Sequence, residues 1–174
     1  MTKTISVSLS SSSIGESIKA VQAYAAELER KEALFVKRLA DVGLNVAKMR
    51  FSSAAYAGTN DVQCRVEADG SKATIYADGS AVGFIEFGTG VSHPAYSANV
   101  EYKPPAHGTY GQGKGKRKKW GYYGDPGNAG VVKTTTNGRE IVITSGNDPA
   151  YAMAGAIQMM TEKVTTIARE VFGS

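Results

Sequence analysis

From Ile14 the apolar residues Ile14, Ile18, Val21, Ala25, Leu28, Phe35, Leu39, Val42, Val46 and Met49 recur at alternating steps of four and three, interrupted only where Glu32 takes an apolar slot. Five such repeats predict helix over the first third of the chain. Ser13-Ile-Gly-Glu16 fits a capping box, which predicts that the helix starts at Ser13. A single helix over that span is about 54 Å long at ~1.5 Å per residue, whereas a compact domain of this size spans only about 40 Å. Two readings stay open: two consecutive core helices that break near Arg30, Lys31 and Glu32, or one helix that projects and lays its seam on a neighbouring subunit.

Past Gly58 the period changes to two. Val62, Cys64, Val66 and Ala68 alternate with polar residues, and Asp69-Gly70 is expected to supply the positive-φ residues that a tight hairpin requires. A second run, Lys72 to Ala77, ends at another Asp-Gly pair, Asp78-Gly79. Ala81 to Phe87 then reads either as the third strand of a meander or as one or two turns of helix against the sheet. Nearer the C-terminus Arg139 to Thr144 reads as a strand with Ile141 and Ile143 on one face. Asp148 fits an N-cap with Pro149 at the first helical position. The stripe Met153, Ile157, Met160, Val164, Ile167 and Val171 predicts a closing helix that stops at Gly173. The expected fold is α+β: a long N-terminal helix or two helices, and a C-terminal helix, packed on a small antiparallel sheet.

The 174 residues read as a single domain, 1–174. Their net charge of +4 is unevenly placed. Residues 89–138 alone carry +5, with ten of the twenty glycines and four of the five prolines, and the rest of the chain sums to −1. The segment 89–138 is therefore a basic Gly/Pro-rich insertion in a near-neutral body. Within it Lys114, Lys116, Arg117, Lys118 and Lys119 lead into Trp120, with Tyr96, Tyr102, Tyr110, Tyr122 and Tyr123 around them. Cations interleaved with aromatics suit phosphates and stacked bases. A solvated loop whose aromatics dock on protein is the other reading.

Other chemistry is sparse. Cys64 is the lone cysteine, and His93 and His107 are the two histidines, at spacings unrelated to a zinc site. Cys64 lies on the apolar side of its strand, as a small hydrophobe does. The alternating glycines Gly111, Gly113 and Gly115 match neither a phosphate-binding loop nor a dinucleotide fingerprint. No nucleophile–base pair is visible, so neither an enzyme nor a cofactor is expected. No apolar run approaches the ~20 residues of a membrane span, and the N-terminus lacks a signal-peptide core. The chain reads as a soluble intracellular product with no membrane partner.

The string Phe84-Ile85-Glu86-Phe87-Gly88-Thr89-Gly90 resembles the signature of a family of tailed-bacteriophage neck proteins, the tail completion or head–tail joining proteins of long-tailed phages. A second stretch, Thr144 to Ile157 with Asp148 and Pro149, is similar to that family's lead into its closing helix, and Trp120 with Tyr122 and Tyr123 is a weaker echo. The long basic insertion after Gly90 departs from the family. The resemblance implies a structural virion protein that forms a homo-oligomeric ring at the neck, present in the host cytoplasm during assembly. Its implied partners are copies of itself, head-completion or connector proteins, tail terminator or tail-tube proteins, and genomic DNA in the channel. The alternatives are a tail terminator capping the tail tube, and a nucleic-acid-binding protein acting through the insertion. From the residues themselves, Gly88 and Gly90 permit a backbone reversal. Glu86 between Ile85 and Phe87 is expected to be fixed by backbone amides or a basic partner, as a buried charge requires.

Overall fold

A computed structural model describes residues 11–89 and 119–173. Helix α1 (Ser11–Ser53) leads into a hairpin of β1 (Gln63–Asp69) and β2 (Lys72–Asp78), then a short helix α2 (Val82–Phe87). The second described stretch holds β3 (Trp120–Tyr122), β4 (Val131–Thr134), β5 (Glu140–Thr144) and the closing helix α3 (Ala152–Phe172). The fold is α+β. Its strands form two antiparallel sheets, β1-β2 and β3-β5-β4.

Helix α1 is unbroken over 43 residues, about 64 Å at ~1.5 Å per residue, which selects the single long helix over the two-helix reading with a break near Arg30. Nothing in the sequence forces a break there, since residues 16–42 contain neither Gly nor Pro. The Glu27–Lys31 pair, 3.5 Å apart and four residues along, spans the proposed site. The capping box is also corrected. Ser13 already lies in the helix, and Ser17 Oγ donates to the Ser13 carbonyl at 2.8 Å, a bond made inside a helix.

Helix α3 packs antiparallel along the second half of α1. The Phe35 and Phe172 ring centroids are 5.7 Å apart at one end, and Arg50 Nη1 donates to the Tyr151 carbonyl at 3.1 Å at the other. Residues 11–34 run past the end of α3. The buried face of α1 is Ala40, Gly43, Ala47 and Phe51 rather than the predicted seam, whose last member, Met49, is 61% exposed. A repeat of seven residues drifts about 20° per heptad around a straight helix. By Met49 the seam has rotated roughly 100° from Ile14, and small residues have taken over the contact. A Cβ on Gly43 would lie 2.6 Å from Ile75 Cδ1 and 2.7 Å from Met160 Sδ, so hairpin and α3 both press against this glycine. On the first half of α3 the buried face is also offset from the predicted stripe. Ala152, Gly155, Ala156, Ile167 and Val171 are buried, whereas Ile157 and Val164 are 51% and 40% exposed.

The hairpin register pairs Asp69 with Lys72, which makes Gly70 and Ser71 the turn. Positive φ falls at Gly70 alone (51°), the pattern of a type II′ turn. Ala81 to Phe87 takes the helical alternative. Ile85 and Glu86 are neighbours and both are buried, which alternating strand faces would not allow. The start of α2 is fixed by Asp61, whose carboxylate accepts from Ser80 N and Oγ at 2.8 and 2.6 Å and from Ala81 N at 2.9 Å. In β5 the deepest residue is Val142, at odds with the predicted Ile141 and Ile143 face. Those two isoleucines pack over Gly121 of β3, where a Cβ would lie 2.5 Å from Ile141 Cδ1.

These bonds hold the Asp61 carboxyl at about 2, below its ordinary 3.8. The depressed value means that Asp61 stabilises the fold above pH ~4 and loses that contribution as pH falls toward 2. Asp61→Asn is expected to lower the melting temperature at pH 7, with the gap to the unaltered protein closing as pH falls from 4 to 2. Equal melting temperatures at pH 7 would show that the cap is idle.

Candidate functional site: a clasp between two motifs

The two segments that carried the family resemblance are 58 residues apart between Thr89 and Asn147, and the fold brings them together. Thr89 and Asn147 exchange backbone bonds at 2.9 and 3.1 Å. The Thr89 hydroxyl donates to Asn147 Oδ1 at 2.5 Å, and Asn147 Nδ2 donates to the carbonyls of Phe84 and Asp148 at 3.0 and 3.2 Å. Ala150 N donates to the Ile85 carbonyl at 2.9 Å and Tyr151 N to that of Glu86 at 3.3 Å. Both backbones are thereby tied across the same small core, which is built on Ala47, Phe51, Ile85, Ala152 and Ala156.

Glu86 is 3% exposed. Its Oε2 accepts from Met153 N at 3.0 Å and its Oε1 from Ala154 N at 3.2 Å. These are second and third residues of α3, the amides that an N-cap side chain ordinarily serves. A carboxylate from 67 residues upstream therefore caps the closing helix, where the field of the helix also favours negative charge. This overturns the expectation that Asp148 caps the helix with Pro149 as its first residue. Helix α3 begins three residues later, behind Tyr151 at φ 46°, ψ 45°. The amides of Ala150 and Tyr151 are spent on α2, so the chain cannot turn helical before them. Asp148 is exposed, and Pro149 lies against Gly88.

Gly88 makes the approach possible. Its φ of 72° and ψ of 168° belong to a region that is essentially glycine's alone. A Cβ there would lie 2.8 Å from Asn147 O and from Pro149 N. Phe84 and Phe87 flank the clasp, half-buried.

Beside the clasp lies a cleft of about 290 Å³ walled by Tyr56, Phe84, Thr89, Trp120, Tyr122 and Asn147. Burial pushes the Tyr56 phenol above its ordinary value, with the nearby Tyr122 and Asp61 adding to it. The Tyr122 phenol is also raised by burial, then by Asp125, and its hydroxyl donates to the Asp125 carbonyl at 2.7 Å. Both rings are uncharged at neutral pH and offer hydroxyls and faces. The wall is held from behind by Asn128, whose Nδ2 donates to the Ala54 carbonyl and whose Oδ1 accepts from Tyr56 N. Thr59 Oγ1 donates to Asp125 Oδ2 at 2.8 Å.

Of the predicted contact residues, Trp120 is half-buried in this wall and Lys119 is exposed next to it. Gly90, Lys114, Lys116, Arg117 and Lys118 lie outside the described residues, as do His93 and His107. Cys64 is half-buried against the core, and burial is the main cause raising its thiol above the ordinary value. Among the described residues no group of three or more His, Cys, Asp or Glu could hold a metal ion, and no helix is long and apolar enough to cross a membrane. Asn147, Asn128 and Asp125 were missed by sequence reasoning. Their only local mark is a Gly or Pro beside or near each of them, which signals a turn and not a distant partner. No family model, no curated protein and no solved structure matches this chain.

Proposed function

We propose that this chain is a structural virion protein that forms a closed homomeric ring at the neck of a tailed phage, joining the DNA-filled head to the tail. The observation that carries the reading is the first half of α1. Ile14, Ile18, Val21, Tyr24 and Leu28 stand 44 to 53% exposed along one face. A contiguous apolar face of this kind marks an interaction surface. Ring closure asks each subunit for two different faces, and a projecting helix beside an α+β body supplies them. The clasp adds support, because the two segments that resemble the neck family meet in it and serve to hold a backbone. A structural part of a virion needs that rigidity and no chemistry.

In this reading the ring sits between head-completion or connector proteins and tail terminator or tail-tube proteins. The cations Lys114 to Lys119 meet phosphates of the passing genome without reading sequence. The test is negative-stain imaging and native mass spectrometry of the full chain, alone and beside connector and tail-tube proteins. Annular particles of a single stoichiometry are expected. Monomers under every condition contradict the ring, rings found only on isolated tails reassign it to the tail terminator, and tight DNA binding by a persistent monomer favours the nucleic-acid reading.

A further inference from the structure

Among the described residues the body carries a second unfilled apolar surface. Val36, Leu39, Ile75, Met153, Ile157 and Met160 line a groove of about 390 Å³ where α1, β2 and α3 meet. Ile157 and Met160 form its α3 side, and Val164, 40% exposed, continues their row one turn beyond the lining at steps of three and four. We propose that the α1 arm, residues 14–28, of one copy of this chain seats in this groove of the next copy. The inference rests on the ring reading and names the surfaces that close the ring.

Four observations lead to a second copy as the occupant. A seam spaced at four and three takes another helix as its partner, and the exposed α3 row has the matching spacing. The arm cannot fill its own groove. Along an unbroken helix Leu28 stands about 16 Å, and Ile14 about 37 Å, from Leu39 in the groove. Between Ile14 and Leu28 the charged residues Glu16, Lys19 and Glu27 fall on the face opposite the seam at ~100° per residue, so docking buries no charge. Finally, five side chains about half exposed present roughly 450 Å² of apolar surface, more than half of the ~800 Å² per partner in a standard interface. One contact covers both surfaces, and each chain has one of each. An arm-to-arm pair would leave every groove open.

Because arm and groove are different patches, the contact is head-to-tail, and two variants of the full chain test it. Ile18→Glu spoils the arm, and Ile157→Glu spoils the groove wall. Both positions are about half exposed, so far-UV circular dichroism is expected to match the unaltered protein. Sedimentation velocity should show self-association of the unaltered chain, weakened roughly tenfold to hundredfold in either variant. Mixed one to one, the two variants should form heterodimers and nothing larger, since only one intact arm and one intact groove remain. Val21→Glu with Val164→Glu repeats the pair, so that one poorly folded protein does not decide the outcome. Ile157→Glu that associates like the unaltered chain, or mixtures that fail to dimerise, overturn the arm-in-groove contact and leave the ring reading standing. An unaltered chain that stays monomeric overturns both.

Discussion

Glu86→Ala is expected to remove about 3–5 kcal/mol of stability, because two bonds to a buried charge, each worth ~1.5–3 kcal/mol, are lost and two buried amides are left without acceptors. The loss is a large part of the ~5–15 kcal/mol that holds a domain of this size together. In urea it should move the unfolding midpoint down by roughly 2 M. Glu86→Gln should fall between, since its amide can accept from one N–H but presents hydrogens to the other. Glu67→Ala is the control, an exposed residue of β1 whose pairing with Arg65 lies at the surface, and such pairs contribute little. A Glu86→Ala midpoint no lower than that of Glu67→Ala would mean that the cap on α3 contributes nothing.

Gly88→Ala should be nearly as damaging. A non-glycine residue at φ 72°, ψ 168° costs about 1–3 kcal/mol in backbone strain alone. The added Cβ meets Asn147 O and Pro149 N, backbone atoms already fixed by the clasp, and overpacking of that kind adds about 1–3 kcal/mol. Gly70→Ala separates the two contributions. Gly70 also has positive φ (51°), but a Cβ there meets nothing within 4 Å, so strain of about 1–2 kcal/mol is the whole effect. Equal losses at the two glycines, measured by urea unfolding, would show that the clasp yields to a methyl group and is not closely packed.

How much of this was readable from the chain depended on the range of each cause. Short-range patterns carried the hairpin, whose alternation and Gly70 turn needed only adjacent residues, and the helical state of residues 14–49, but not whether that stretch was one helix or two. The seven-residue seam was real, yet the core face of α1 was not the seam. Drift around a straight helix moves the buried face onto Ala40, Gly43 and Ala47, and small residues give no hydrophobic signal strong enough to show it. At the clasp, Glu86 stood out because a carboxylate between Ile85 and Phe87 must find partners. Which partners was invisible, since Met153 and Ala154 offer backbone amides that every residue has. Asp148-Pro149 looked like a helix start for the same reason. Local cap chemistry was present, but Ala150 and Tyr151 had been claimed by α2, and no local pattern records a bond to a residue 65 positions away. Strands β3 and β4 were hidden because a composition rich in Gly, with a basic run ahead of it, reads as insertion throughout. The fold nevertheless uses residues 119–138 as two strands and a brace on the end of α1.

Thr89, where the first described stretch ends, and Trp120, just inside the second, line the same cleft, and Thr89 is riveted to Asn147. Two positions 31 apart in the chain thus meet at one cleft. Residues 90–118, which fall between these two positions in the sequence, carry a net +4, equal to that of the whole chain. Asn147 therefore answers for two things at once: loosening it disturbs both the entry to α3 and one wall of the cleft.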